Sequence, residues 1–283
     1  MSNETTPPAQ RPYQPRPPAG NPFDQQKGIT GVKKILAVSS GKGGVGKSTI
    51  AANLAVALSR RVKTGLLDAD IYGPSQPRMF GALNQRPQIT SEQKLIPITR
   101  HGVKLMSIGF VVDEDSAVVW RGPMLFKAID QFLRDVAWGE LDVLVVDLPP
   151  GTGDVQLSLV QKVPVDGVIV IATPQNIALS DVKKSVDMFQ RIGTPILGAV
   201  ENMSYLLDEA SGQKMALYPK GDLLAYLDAK KIPMLSEMPF QPKIALAAET
   251  GVPYIESYPQ ASESAVFTDL ADQILRGLKL EHV

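Results

Sequence analysis

From residue 31 onward the chain alternates between short, almost unbroken apolar runs and segments whose apolar positions return every three or four residues. The runs are KKILAVSS (33–40), VKTGLLDAD (62–70), GVKLMSIGF (102–110), LDVLVVDLPP (141–150), DGVIVIATP (166–174), TPILGAVEN (194–202) and IPMLSEM (232–238). Continuous rather than alternating hydrophobicity marks strands covered on both faces, as in a parallel sheet. Between most of them the helical period predicts helices over 47–60, 122–136, 177–191 and 222–229. Such alternation predicts a doubly wound α/β fold, a mostly parallel sheet with helices on both faces. A last helix over 261–280 carries Val266, Phe267, Leu270, Ile274, Leu275 and Leu278 on one stripe, opposite Glu263, Asp269 and Asp272. Its basic residues, Arg276 and Lys279, come only at the end, where they suit the helix dipole. A membrane-surface helix would be basic along its polar face.

Residues 1–30 break this pattern. Seven prolines fall within the first 22 positions and apolar residues are sparse. Such a stretch cannot bury enough surface to offset its ordering entropy, so a disordered, partly polyproline-II tail is expected. That leaves one domain, 31–283. Lys plus Arg and Asp plus Glu both number 29, a balance that argues against a nucleic-acid binder. No apolar run reaches the length of a membrane span, and the N-terminus lacks the basic and apolar regions of a secretory signal. A cytoplasmic protein, without membrane or nucleic-acid partners, is expected. Cysteine is absent, which removes disulfides, thiolate nucleophiles and Cys-held metal clusters. Of the two histidines, His282 lies at the C-terminus and His101 has no ligand-like neighbours, so His101 reads as a loop residue.

The strongest chemical signal is Ser40-Gly41-Lys42-Gly43-Gly44-Val45-Gly46-Lys47-Ser48-Thr49, which fits G-x-x-x-x-G-K-[ST] between a predicted strand and a predicted helix. Glycines let the backbone approach phosphate oxygens, and N–H groups at the helix start form an anion nest. In such a loop Lys47 reaches the β and γ phosphates of ATP, and the Ser48 hydroxyl ligates Mg²⁺. Two acidic strand ends follow. Asp68 and Asp70 lie just past the 62–67 run, and Asp147 ends the most apolar run in the chain. A carboxylate at such a place needs a cation, and Mg²⁺ supplies one for Asp147, with Asp68 in the surrounding shell. Asp70 is read either as the residue that positions the attacking water or as a loop cap. Gly151 and Gly153 can bring backbone N–H groups to the γ-phosphate as a switch loop does.

The strings GKGGVGKST, LLDADIYGPSQPRM, MSIGF, WRGPM, VVDLPPGTGDVQLSL and ENMSY closely resemble the Mrp/ApbC-type ATPases, the iron–sulfur cluster carrier branch of the MinD/ParA superfamily. The resemblance covers residues 30–270 and implies ATP-binding homodimers that carry a bridging [4Fe–4S] cluster and deliver it to client apoproteins. It implies that Lys42, the extra lysine of a deviant P-loop, reaches across the dimer to the partner's phosphates. By the same similarity Asn202 meets the adenine edge; a turn-forming Asn is the plainer alternative. Where the family carries C-x-x-C-G shortly after ENMSY, this chain has Asp208 and Ser211, with the spacing retained. The resemblance therefore implies a cluster carrier, whereas the side chains offer no thiolate to hold a cluster.

Three functions remain open on the sequence. One is an iron–sulfur assembly ATPase, acting through a cysteine-bearing partner or as a nucleotide-gated adaptor. Another is a ParA/MinD-like positioning switch, whose basic helix or basic patch is missing here. The third is a phosphate-transferring or ligating P-loop enzyme, which would need a second substrate pocket.

Overall fold

The computed structural model describes residues 26–111, 129–208, 211 and 213–280. Strand β1 (Val32–Ser40) lies inside the sheet, parallel to β5 (Leu141–Asp147) on one side and β6 (Gly167–Ala172) on the other. Beyond β5 come β2 (Thr64–Asp68) and β4 (Val103–Ser107), both parallel, and the antiparallel β3 (Ile98–Arg100) at the edge. Beyond β6 lies β7 (Ile196–Leu207), which pairs in parallel with β9 (Met234–Pro239) and, near its far end, antiparallel with β8 (Lys214–Ala216). The mostly parallel, doubly wound sheet expected from the continuous apolar runs is present. All of β5 except Asp142 is buried, as strands covered on both faces must be.

Helix α1 (Lys47–Ser59) follows β1 and is buried nearly all round, at ten of its 13 residues. A helix apolar on every side belongs between layers. It packs between the sheet and α8 (Ser262–Gly277), whose Phe267, Leu270, Ile274 and Leu275 are buried. Each such side chain contributes about 1.5–3 kcal/mol of burial. Further helices are α2 (Gln76–Met79), α3 (Asp154–Lys162), α4 (Asn176–Arg191), α5 (Leu223–Lys230), α6 (Pro242–Thr250) and α7 (Tyr254–Ser257). Proline at the first position of α6 and Gly251, with φ of 77°, at its end mark the usual asymmetry of helix termini. Among the described residues no helix is long and apolar enough to cross a membrane.

Several expectations need adjustment. Of the helix expected over 122–136, residues 122–128 lie outside the described residues, as does the WRGPM string; 129–134 are helical. The run 194–202 does not end at Asn202, because β7 continues to Leu207 through a left-handed residue, Met203, with φ of 58°. Most of the proline-rich segment, 1–25, lies outside the described residues. Residues 26–30, expected to belong to the disordered tail, are instead held: Lys27 N–H donates to the Lys162 carbonyl, Arg134 donates to the Lys27 and Gly28 carbonyls, and Ile29 is buried. His101 sits in the β3–β4 turn with φ of 49°, its ring 6.0 Å from that of Phe80, consistent with a loop residue.

Candidate functional site

Strands β1, β2 and β5 end side by side, so their carboxyl ends bring together residues distant in sequence. Ser40 ends β1, and Asp68 and Asp147 are direct neighbours in the β2–β5 register. This carboxyl edge is where an open α/β sheet binds ligands. The glycine-rich loop crosses it. Gly46 caps α1 with φ of 82°, no side chain bonds its N-terminal N–H groups, and its first turn carries no acidic residue. Those N–H groups are available to an anion. Gly41 is required by contact, since a Cβ there would lie 2.3 Å from the Asp181 carbonyl oxygen on α4. Lys42 is half-buried on the loop, and the Ser40 hydroxyl donates to its carbonyl at 2.9 Å. Gly43 and Gly44 are exposed, Val45 is buried, and Thr49 accepts the Asn53 amide at its carbonyl.

Lys47 is buried and forms an ion pair with Asp147 Oδ1, while its ammonium also donates to Ser48 Oγ at 3.2 Å. Asp147 is wholly buried. Its second oxygen accepts from Gln76 Nε2 at 2.8 Å. Asp68, also buried, accepts from the Ser75 and Gln76 N–H groups and from the Ser107 hydroxyl, each at 3.1 Å. Burial raises its carboxyl to about 7, and the Asp147 charge adds to the rise, against the opposing amide of Gln76. Asp70 is half-buried; burial raises its carboxyl too, and it accepts the Gly73 N–H at 3.3 Å, closing the turn. Among the described residues, two neighbouring buried carboxylates therefore lie beside the Lys47 ammonium, which pairs with Asp147 alone. Such a surplus of negative charge, beside a serine hydroxyl, suits a hard divalent cation with oxygen ligands. Among the described residues no group of three or more Asp, Glu or His side chains could hold a metal. Mg²⁺ characteristically draws its remaining ligands from water and substrate phosphates.

The segment after β5 is joined to the phosphate loop: Gly151, with φ of 93°, donates its N–H to the Ser40 carbonyl at 3.0 Å. Gly153 caps α3. On the other flank Asn202 Nδ2 donates to the Val45 carbonyl at 2.8 Å. Asn202, Met203, Phe240, Ile244, Gly46 and Thr49 line a small cleft beside the start of α1. Asn202 is thus a strand residue bonded to the phosphate loop, not a turn-forming Asn.

Asp208 and Ser211 lie between β7 and β8, away from this centre. Asp208 donates its N–H to the Gln213 carbonyl at 3.0 Å, and its carboxylate accepts the Ser211 N–H at 3.3 Å. Ser211 Oγ accepts the Gln213 N–H at 3.3 Å. Both side chains satisfy the backbone of their own turn and provide no soft ligand, so the pair does not fit an iron–sulfur cluster.

Gln76, Ser107 and Gln156 escaped the sequence reading. Gln156 donates to the Pro149 carbonyl and so fixes the segment after β5. Their only signal is membership of the same strings, DIYGPSQP, MSIGF and LPPGTGDVQ.

Residues 31–275 match the family model ParA, described as NUBPL iron-transfer P-loop NTPase. The iron-sulfur cluster carrier protein of Aquifex aeolicus is 47% identical over 252 residues, 88% of this chain and 69% of that protein. The Arabidopsis thaliana iron-sulfur protein required for NADH dehydrogenase, mitochondrial, is 44% identical, over 89% of this chain and 80% of that one. Among solved structures, an Archaeoglobus fulgidus nucleotide-binding protein in complex with ADP superposes with a TM-score of 0.69 at 33% identity, covering 86% and 98% of the two chains. The septum site-determining protein MinD of Pyrococcus horikoshii, complexed with Mg-ADP, shares the fold with a TM-score of 0.62 at 21% identity, covering 88% and 99%.

Proposed function

From a chain that belongs to the ParA family of NUBPL-type iron-transfer P-loop NTPases, we propose a Mg²⁺-dependent ATPase that works as a homodimer in iron–sulfur cluster assembly. The observation that carries the reading is the buried Lys47–Asp147 pair beneath an uncapped helix start. On this reading ATP lays its phosphates along Gly41–Thr49, and Lys47 exchanges Asp147 for the β and γ oxygens. Ser48 and Asp147, with Asp68 beside Asp147, would hold Mg²⁺, which when bound would neutralise charge developing on the phosphates. Asp70 orients water for attack on the γ phosphorus; the bond to the β–γ bridging oxygen breaks, releasing ADP and phosphate. Gly153 presents its N–H group to the γ-phosphate, and Gly151 joins it by exchanging the Ser40 carbonyl for a phosphate oxygen. Asn202 and the cleft beside it take the adenine, and Lys42 reaches the phosphates of the other subunit.

The domain proposed is 31–283, acting in the cytoplasm without a membrane or nucleic-acid partner. The cluster is cargo on this reading. Because the chain contains no cysteine, thiolates come from a second protein or from the client apoprotein, and this chain serves as the nucleotide-driven adaptor. A ParA/MinD-like positioning switch is the alternative, supported by the shared fold.

Phosphate release from Mg²⁺–ATP tests the catalytic reading. Lys47→Ala should lower turnover on the order of 100-fold or more, as loss of a charge-stabilising donor does, and Asp147→Asn should lower it strongly. Turnover equal to wild type in both variants, with folding confirmed by melting, would overturn the assignment.

A further inference from the structure

Helix α2 has only four residues, yet its start is held on several sides. Asp68 Oδ2 accepts the N–H groups of Ser75 and Gln76 and the hydroxyl of Ser107. Gly109 packs so closely that a Cβ there would stand 3.2 Å from Pro77 and 3.3 Å from Pro74. These restraints deliver the Gln76 side chain, wholly buried, into the joint between α1 and β5. Its Nε2 donates to the Ser48 carbonyl at 3.0 Å and to Asp147 Oδ2 at 2.8 Å. An amide has two N–H hydrogens, and both are used, which fixes its orientation. The amide oxygen, Oε1, is buried and has no donor among the described residues. A buried acceptor left empty is unfavourable, and native structures keep few of them.

We infer that Gln76 is a positioning residue for Mg²⁺, an inference that rests on the ATPase reading above. Its amide keeps Asp147 Oδ2 engaged, so the carboxylate retains one orientation when Lys47 leaves Oδ1 for a phosphate. Its Oε1 would accept a hydrogen bond from the hydration shell of the cation, a strong donor of a kind that none of the described residues supplies. Gln76 is thereby tied to the serine that offers the hydroxyl ligand and to the carboxylate that faces the metal. A side chain of the same length without an amide would fill the space and do neither.

The test is a Mg²⁺ titration of a fluorescent ADP analogue bound to the full-length protein, with binding in EDTA as reference. Gln76→Met keeps the length and apolar bulk. It should bind the analogue in EDTA as wild type does, yet need roughly 10–100-fold more Mg²⁺ for half-maximal tightening, the usual effect of losing a residue that orients metal ligands. A residue that only filled space would leave this requirement untouched, so a folded Gln76→Met with the wild-type Mg²⁺ requirement overturns the inference. Should Gln76→Met melt too low to be studied, Gln76→Asn replaces it. That side chain keeps an amide but falls one methylene short of bridging, and the same rise is expected; no rise overturns the inference again. Wild-type binding indifferent to Mg²⁺ would instead overturn the ATPase reading itself.

Discussion

Gly46 carries two constraints at a single position. Its φ of 82° lies in the left-handed region, and a Cβ there would stand 2.2 Å from Asn202 Nδ2. Left-handed backbone at a non-glycine residue costs about 1–3 kcal/mol. Gly46→Ala should therefore lower stability by about that amount and push Asn202 off the Val45 carbonyl, weakening nucleotide binding. Thermal melting and calorimetric titration with ADP check this; unchanged values for both would show that the loop relaxes around the methyl group. Gly46, Lys47 and Asp147 are legible in the amino-acid string because a fixed local spacing and the end of an apolar run announce them. Gln76 is not, because its partner Asp147 lies 71 residues away and a hydrogen bond across that distance leaves no periodic trace. Nor is the closeness of Asp68 and Asp147 visible before the β2–β5 register sets them side by side.

Among the elements, the seven apolar runs each hold a strand, because burial on both faces is written directly into their composition. Strands β3 and β8, three residues each, are too short to show any period. Helix α3 follows the glycines after Asp147 and reads as a continuation of that loop. Strand β7 misleads for a different reason: Asn202 resembles a terminator, yet the irregularity between Glu201 and Tyr205 absorbs the interruption and the strand runs on to pair with β8 at the edge of the same sheet. Asp208 and Ser211 sit between these two strands at the spacing of a C-x-x-C pair. Reconstitution of the unmodified protein with iron and sulfide should give no visible charge-transfer band, since no soft ligand is present. The double variant Asp208→Cys with Ser211→Cys should gain one if two copies face each other through this turn. A band in the unmodified protein would show that thiolates of this chain are not required.

At the scale of the whole molecule, the proposed dimer depends on Lys42, which is half-buried on the phosphate loop between exposed Gly43 and half-buried Gly41. If its ammonium serves the other subunit, Lys42→Ala should reduce hydrolysis far more than nucleotide binding, the mark of a contact made mainly in the transition state. Light scattering with a non-hydrolysable ATP analogue should find a dimer in the wild type. A monomer at high protein concentration would count against the shared site.

Residues 26–30 enter beside the end of α3 and the start of β1, at the amino edge of the sheet. The phosphate loop leaves the other end of β1, nine residues later. At about 3.3 Å per residue, roughly 30 Å separates the two. A surface tether attached at residue 26 itself would hold the protein by the pole remote from the phosphates and leave the nucleotide face toward solution. A dye placed there would be too distant to be quenched by touching a bound nucleotide, so any change in its signal would report events at the amino edge itself.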